Sequence, residues 1–298
     1  MDWERIREMN QHNKAILYVI LTGLGFSLMS LFVRLAGDLP TMEKALFRNA
    51  VAALVALSAL FRSKEKLHLK QGSLPFLFLR SCFGTAGLII NFYVIDHLNI
   101  ADANILNKLS PFFAILMSMV ILHEIPKYSD FACVIVALAG AAFVVHPTKG
   151  LASVPALIGV LGGFCAGTAY TCVRKLRLSG ERGPMIVLFF SVFSLIVCIP
   201  GTLINFKPMQ PLQLVFLVLA GCSAALGQFS VTKAYALAPA KEISVFDYSQ
   251  VLFAALWGFF FFGERPDLYS AIGYVLILGA AIYHWKTGKP AASNAGTA

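Results

Sequence analysis

The sequence predicts an all-α integral membrane protein, with ten transmembrane helices arranged as two inverted five-helix repeats and both termini cytoplasmic. Three observations carry that expectation. The chain is 58% hydrophobic and 13% charged, with a mean hydropathy of +0.75, whereas soluble domains average about 45–50% apolar and about 25% charged. Its apolar residues fall in long continuous runs, and about 20 such residues cross a bilayer as a helix. Short sequence matches also recur at a spacing of 140 residues.

The first span, 15–36, follows the charged head MDWERIREMNQHNK. Its apolar stretch is too long for a signal peptide and has no small-residue cleavage site, so it reads as retained. The second run, 45–61, is short. The third, fourth and fifth are 74–95, 101–122 and 128–146. The second half repeats the series as 155–174, 184–204, 212–237, 243–262 and 268–285. None alternates apolar with polar residues as barrel strands do. The expected organisation is a head (1–14), a first repeat (15–146), a second repeat (155–286) and a tail (287–298).

Charge sets the expected orientation. The net charge is +9. With the N-terminus inside, inner segments hold 15 Lys and Arg, outer loops four (Lys44, Lys149, Lys207, Arg265), and spans five (Arg34, Arg48, Arg80, Lys108, Lys233). That bias follows the positive-inside rule and makes the chain a multi-pass protein of the cytoplasmic membrane. Spread over many loops, the charge does not form the single basic patch of a nucleic-acid binder. The six cysteines all lie inside predicted spans without metal-ligand clustering, as small apolar packing residues do. No cofactor is expected.

The repeat is legible in several places. Val33-Arg34 recurs as Val173-Arg174, Glu124-Ile-Pro126 as Glu264-Arg-Pro266, and Gly23 maps onto Gly163. Matches in one frame over the whole chain indicate two homologous halves. Five spans is an odd number, so the second half enters the membrane upside down. Transporters use such inverted repeats to alternate access to a central site.

The segments ALFRNAVAAL (45–54), DHLNIADANILNKLSPFFAILMSMVILHEIP (96–126) and KAYALAPAKEISVFDYSQVLFAALWGFFFFGERP (233–266) carry a family resemblance. With them the chain resembles the EamA-type drug/metabolite transporter superfamily over nearly its whole length. The resemblance implies a ten-helix carrier with its substrate cavity between the halves. It implies no one substrate, because the superfamily moves amino acids, vitamins, nucleotide sugars and organic phosphates. Lys108 departs from the apolar residue usual in that family.

Asn104, Asn107, Lys108 and Pro111 share one helical face. A lysine near mid-bilayer costs about 2.5–3.5 kcal/mol on insertion scales. Lys108 therefore either faces a wet cavity with the two asparagines or snorkels to the outer headgroups. In the frame of 140 the matching face holds Ser244, Asp247, Tyr248 and Val251. Asp247 is expected in the inner half and Lys108 in the outer, so direct pairing needs tilt or a ligand. Asp247 then has three readings: a static pair with Lys233, proton coupling, or binding of a cationic substrate group. Arg48 and Arg80 lie near span ends and read as interface anchors. Glu124 and Glu264 each precede a proline that can open the next helix, where a carboxylate meets the positive helix end. Candidate substrate-binding residues are Asn104, Asn107, Lys108, Asp247, Tyr248, Gln250, Asn91, Tyr93 and Trp257. Tyr170, Thr171 and Gln228 are further cavity candidates, and Gly162, Gly163 and Gly167 are sites of close helix approach.

The composite expectation is a secondary transporter of a small polar metabolite, anionic or zwitterionic, such as an amino acid or carboxylate. A proton-coupled exporter of cationic or mixed molecules is the alternative, and an organic-phosphate or nucleotide-sugar exchanger a third. A membrane-embedded enzyme is the reading from another class. It lacks an HExxH or GxSxG motif, and all six histidines fall in tails, loops or span ends.

Overall fold

The computed structural model describes residues 3–62, 69–70, 72–123, 128–145, 154–237 and 244–288, and among these every regular element is helical. The first half holds α1 (Trp3–Leu35), α2 (Thr41–Arg62), α3 (Leu74–His97), α4 (Ile100–Asn107), α5 (Ser110–Ile121) and α6 (Tyr128–Val145). The second holds α7 (Val154–Leu178), α8 (Gly183–Ile204), α9 (Pro211–Leu237), a 3-10 turn (Ser244–Tyr248), α10 (Ser249–Phe262) and α11 (Leu268–Gly288).

Among the described residues, seven segments are long and apolar enough to cross a membrane: Asn13–Leu35, Leu74–His97, Ile100–Ile121, Val154–Leu178, Gly183–Ile204, Pro211–Val231 and Leu268–Lys286. Tyr128–Val144 and Phe246–Phe262 are apolar but shorter. α2 is in neither group; its first two turns carry Glu43, Lys44 and Arg48. Exposed Leu, Ile, Val and Phe residues, among them Phe260, Ile135, Ile196 and Val275, cover the helices' outer faces. That is the surface a lipid solvent permits and water does not.

Three predicted elements differ. α1 extends back through most of the head, because no glycine or proline interrupts residues 3–15. The fourth span is two helices, broken at Lys108 and Leu109. Pro111 is the cause: it has no N–H for the carbonyl four residues back, and it sits comfortably in the first turn of α5. The ninth span opens as the 3-10 turn, and its α-helix starts only at Ser249. The two interruptions fall 140 residues apart, at Lys108 and Tyr248.

Packing repeats with the halves exchanged. α1 lies along α9 as α7 lies along α3, and α1 meets α10 as α7 meets α5. α2 meets α9 as α8 meets α3, while α2–α8 and α6–α11 are each their own image. One close crossing depends on glycine: a Cβ on Gly273 of α11 would lie 2.6 Å from the Gly140 carbonyl of α6.

Charged side chains make polar contacts at two opposite ends. At the first, Arg34 meets Glu264 at 2.9 Å, Lys44 meets Asp96 at 2.7 Å, and Lys207 donates to the Asp38 carbonyl. At the second, Glu181 accepts from the Lys70 backbone N–H, and His284 lies 3.2 Å from Asp130. α1 finishes at the first end and α7 at the second.

Candidate functional site

Each break in the fourth helix of a half is held by the other half. Lys108 Nζ lies 2.5 Å from Asp247 Oδ2, and the Tyr248 hydroxyl donates to the Lys108 carbonyl at 3.1 Å. Gln250 Nε2 donates to Asn104 Oδ1 at 2.5 Å, and Asn104 Nδ2 donates to the Ile100 carbonyl within α4. The Tyr248 hydroxyl satisfies a carbonyl freed by the break, which would otherwise be an orphan in an apolar medium.

The expectation that Lys108 and Asp247 sit at different depths therefore needs correction. It rested on continuous helices. The ninth helix begins late, so Asp247 precedes it and lies level with the break after α4. Lys233 is not the partner of Asp247; it is exposed, with its ammonium 5.6 Å from the Tyr18 ring.

Beside the pair lies an open cavity. First-half residues on its wall include Phe26, Met29, Arg48, Arg80, Asn91, Asn107 and Lys108. Second-half residues are Ala166, Ala169, Tyr170, Phe190, Gln228 and Gln250. Of the candidates from sequence, Asn91, Asn107, Lys108 and Gln250 line it, as do Tyr170 and Gln228. Asn104, Asp247 and Tyr248 stand behind that wall and hold Gln250 and Lys108 in place. Tyr93 and Trp257 lie elsewhere. The Tyr93 ring stacks on His97 at 4.1 Å, and the Trp257 indole N–H donates to Ser27 Oγ at 3.2 Å. Thr171 bonds the carbonyls of Ala114 and Gly167.

Arg48 and Arg80 are the residues that sequence reasoning misplaced. Both are buried and line the cavity rather than anchoring the interface. α2 starts at Thr41, two turns above Arg48, and Arg80 turns inward to lie over the Phe190 ring at 3.9 Å. The readable signal was their charge inside apolar segments, the argument already applied to Lys108.

Glu264 also needs correction. It does not cap the helix after Pro266, since α11 begins at Leu268. Gly263, at φ +63°, turns the chain in the left-handed region. The Glu264 carboxylate instead accepts from the Ile100 N–H at the start of α4, at 2.8 Å, and pairs with Arg34. Arg34 in turn donates to the carbonyls of Ile95 and Leu98. The rationale of a carboxylate at a positive helix end holds, but the helix belongs to the other half. Glu124 lies outside the described residues. No group of three His, Cys, Asp or Glu among the described residues could hold a metal, and the cysteines are free.

The geometry agrees with comparisons to known proteins. The sequence pattern of the EamA-like transporter family matches residues 13–146 and again 154–284. The pseudopaline exporter CntI of Pseudomonas aeruginosa (strain UCBPP-PA14) is 32% identical, over 92% of this chain and 96% of its own. Solute carrier family 35 member G1 of Mus musculus is 27% identical, over 92% of this chain and 80% of its own. The riboflavin transporter of Vibrio cholerae serotype O1 is 25% identical, over 92% and 94%. A crystal structure at 16% identity shares the fold with a TM-score of 0.63, over 91% of this chain and 96% of the other. Two copies of one family pattern, a relative matched along nearly its whole length, and helix contacts that repeat between halves place the protein: it is a membrane protein of the EamA-like transporter family.

Proposed function

We propose that the chain is an alternating-access secondary transporter of a small polar organic metabolite, anionic or zwitterionic, in the cytoplasmic membrane. One observation carries the reading: a polar cavity walled by both halves lies where the fourth helix of each half is interrupted. Interrupted helices at mid-membrane are how many transporters present polar groups to a substrate without exposing backbone to lipid. Relatives named as exporter or transporter of pseudopaline and riboflavin support organic cargo rather than an ion channel or an enzyme.

In this reading the two repeats are inverted, and the Arg34–Glu264 pair closes the outer side. An apolar pocket lined by Ala52, Ala56, Gly183, Pro184, Val187 and Phe229 shares Gln228 with the polar cavity. It extends the cavity toward the Glu181 end, which the lysine and arginine bias assigns to the cytoplasm. The structure then corresponds to the state open inward. Asp247 Oδ1 has no hydrogen-bond partner among the described residues, which favours proton coupling as an accompanying role.

Orientation is tested by labelling intact cells with an impermeant thiol reagent, against the background of the unmodified chain. Phe206→Cys should react and Ser179→Cys should not. The reverse pattern would overturn the assigned sidedness and the inward-open state. Transport is tested in proteoliposomes by counterflow of labelled metabolites. Alkylation of Asn107→Cys on the cavity wall should stop a flux that unmodified Asn107→Cys supports. Flux indifferent to that block would place the substrate path elsewhere.

A further inference from the structure

We infer that Arg48 and Arg80 together form an oxyanion subsite, so that the transported metabolite is a net anion whose carboxylate or phosphate group docks between two guanidinium groups. The inference rests on the transporter reading above and names the substrate class of its cavity.

The two arginines occupy neighbouring helices, α2 and α3, and line the same cavity. Arg48 is 3% exposed and Arg80 7%. Each is fixed on one side only. Arg48 Nη1 donates to Asn49 Oδ1 at 2.7 Å, and Asn49 Nδ2 donates to Ser194 Oγ at 2.9 Å. Arg80 lies over the Phe190 ring. Neither has a carboxylate partner among the described residues, although the other paired bundle cations, Arg34, Lys44 and Lys108, each have one. Arg48 Nε, Arg80 Nε and Arg80 Nη1 are buried with no hydrogen-bond acceptor among the described residues. Gly84, one turn on from Arg80, keeps the space clear. A Cβ there would press on Arg80 Nη1 and lie 3.0 Å from the Phe190 ring.

Two like charges on one cavity wall, buried and with donors unspent, are unfavourable in the empty protein. An oxyanion removes that penalty. The guanidinium fork matches a carboxylate or phosphate edge with two parallel hydrogen bonds, which an ammonium group cannot do. Lys108 and Asp247 neutralise each other, so the cavity's uncompensated charge is that of the two arginines. Asn91 and Asn107 also line the wall and offer neutral hydrogen-bonding groups to the rest of the molecule. Among the described residues, no carboxylate lines this wall to receive a cationic cargo.

The test uses purified full-length protein and thermal unfolding at constant ionic strength. The probes are succinate and citrate, inorganic phosphate and glycerol 3-phosphate, and lysine and putrescine as cations. At least one oxyanion should raise the unfolding temperature in a saturable way, and the cations should not. The carboxylate and phosphate arms decide which oxyanion the site prefers. Arg80→Gln and Arg48→Gln should each weaken that oxyanion by about 10- to 100-fold. The empty variants should unfold at the same or a higher temperature than the parent, because an unpaired charge has been removed. Arg80→Lys should recover part of the affinity at most.

A shift unchanged in the double Arg48→Gln, Arg80→Gln variant would overturn the subsite. So would a panel in which no oxyanion shifts the parent, or empty variants that unfold at lower temperature. In proteoliposomes, flux of a cation that is blind to both arginines would sink the subsite and keep the transporter. Oxyanion binding without flux would keep the subsite and sink the transporter.

Discussion

Lys108→Met should lower the unfolding temperature of the protein and abolish its flux. Lys108 is 5% exposed and its ammonium is spent on Asp247. Removing one member of a buried ion pair leaves an uncompensated charge, at a cost of about 3–5 kcal/mol. Asp247 is the more exposed partner, at 23% of its side chain, so residual solvation offsets part of that cost. Asp247→Asn should destabilise by a similar amount, leaving an ammonium in the deeper position. The double variant Lys108→Met, Asp247→Asn should recover most of the stability, since a neutral pair of similar volume is often as stable as the ion pair it replaces.

Flux separates two roles for the pair. If the cycle opens and recloses it, the stable double variant remains unable to transport. If it only staples the breaks together, transport returns with stability. The expected outcome is recovery of folding without recovery of flux, because the Lys108 side chain faces the cavity. A double variant that transports at the parent's rate would reduce the pair to a staple. It would also retire proton coupling through Asp247.

Much of the architecture was legible because membrane burial writes long-range order into short-range composition. The frame of 140 residues matched Arg34 to Arg174 and Gly23 to Gly163 without coordinates. The opposed faces around Asn104 and Asp247 followed from it. The breaks themselves were not legible. Pro111 is compatible with a kink, a helix start or a tolerated bend, and nothing in SVFDY marks a 3-10 turn. That one omission propagated, because continuous helices put Lys108 and Asp247 at different depths and so denied their pairing. Arg48 and Arg80 were misread for another reason. Depth along a helix can be counted from sequence, but the direction a long side chain takes is set by its neighbours. For Arg80 those are Phe190 from α8 and the space over Gly84.

Gly163→Val should prevent accumulation of folded protein, and Gly23→Val should do the same from the other half. The two glycines are images of one another, and each seats its helix against a break in the opposite half. A Cβ on Gly163 would lie 2.9 Å from the Leu106 carbonyl and 3.2 Å from Leu109 Cβ, beside the break after α4. A Cβ on Gly23 would lie 2.5 Å from Ser249 Oγ and 2.8 Å from the Gln250 N, beside the break before α10. In each case the obstruction includes backbone, which cannot rotate away as a side chain can. Even Ala at either position should cost about 1–3 kcal/mol. The displacement falls on the segments that carry Lys108 and Gln250, so flux should drop further than stability. Gly279 supplies the control. It is helical, and a Cβ there would meet nothing within 4 Å. Gly279→Ala should therefore be neutral or stabilise the protein by about 0.5–1 kcal/mol, the ordinary benefit of replacing glycine in a helix. If Gly163→Ala and Gly23→Ala behave like Gly279→Ala in both stability and flux, the breaks are not seated by these glycines. The paired-break geometry would then lose its support.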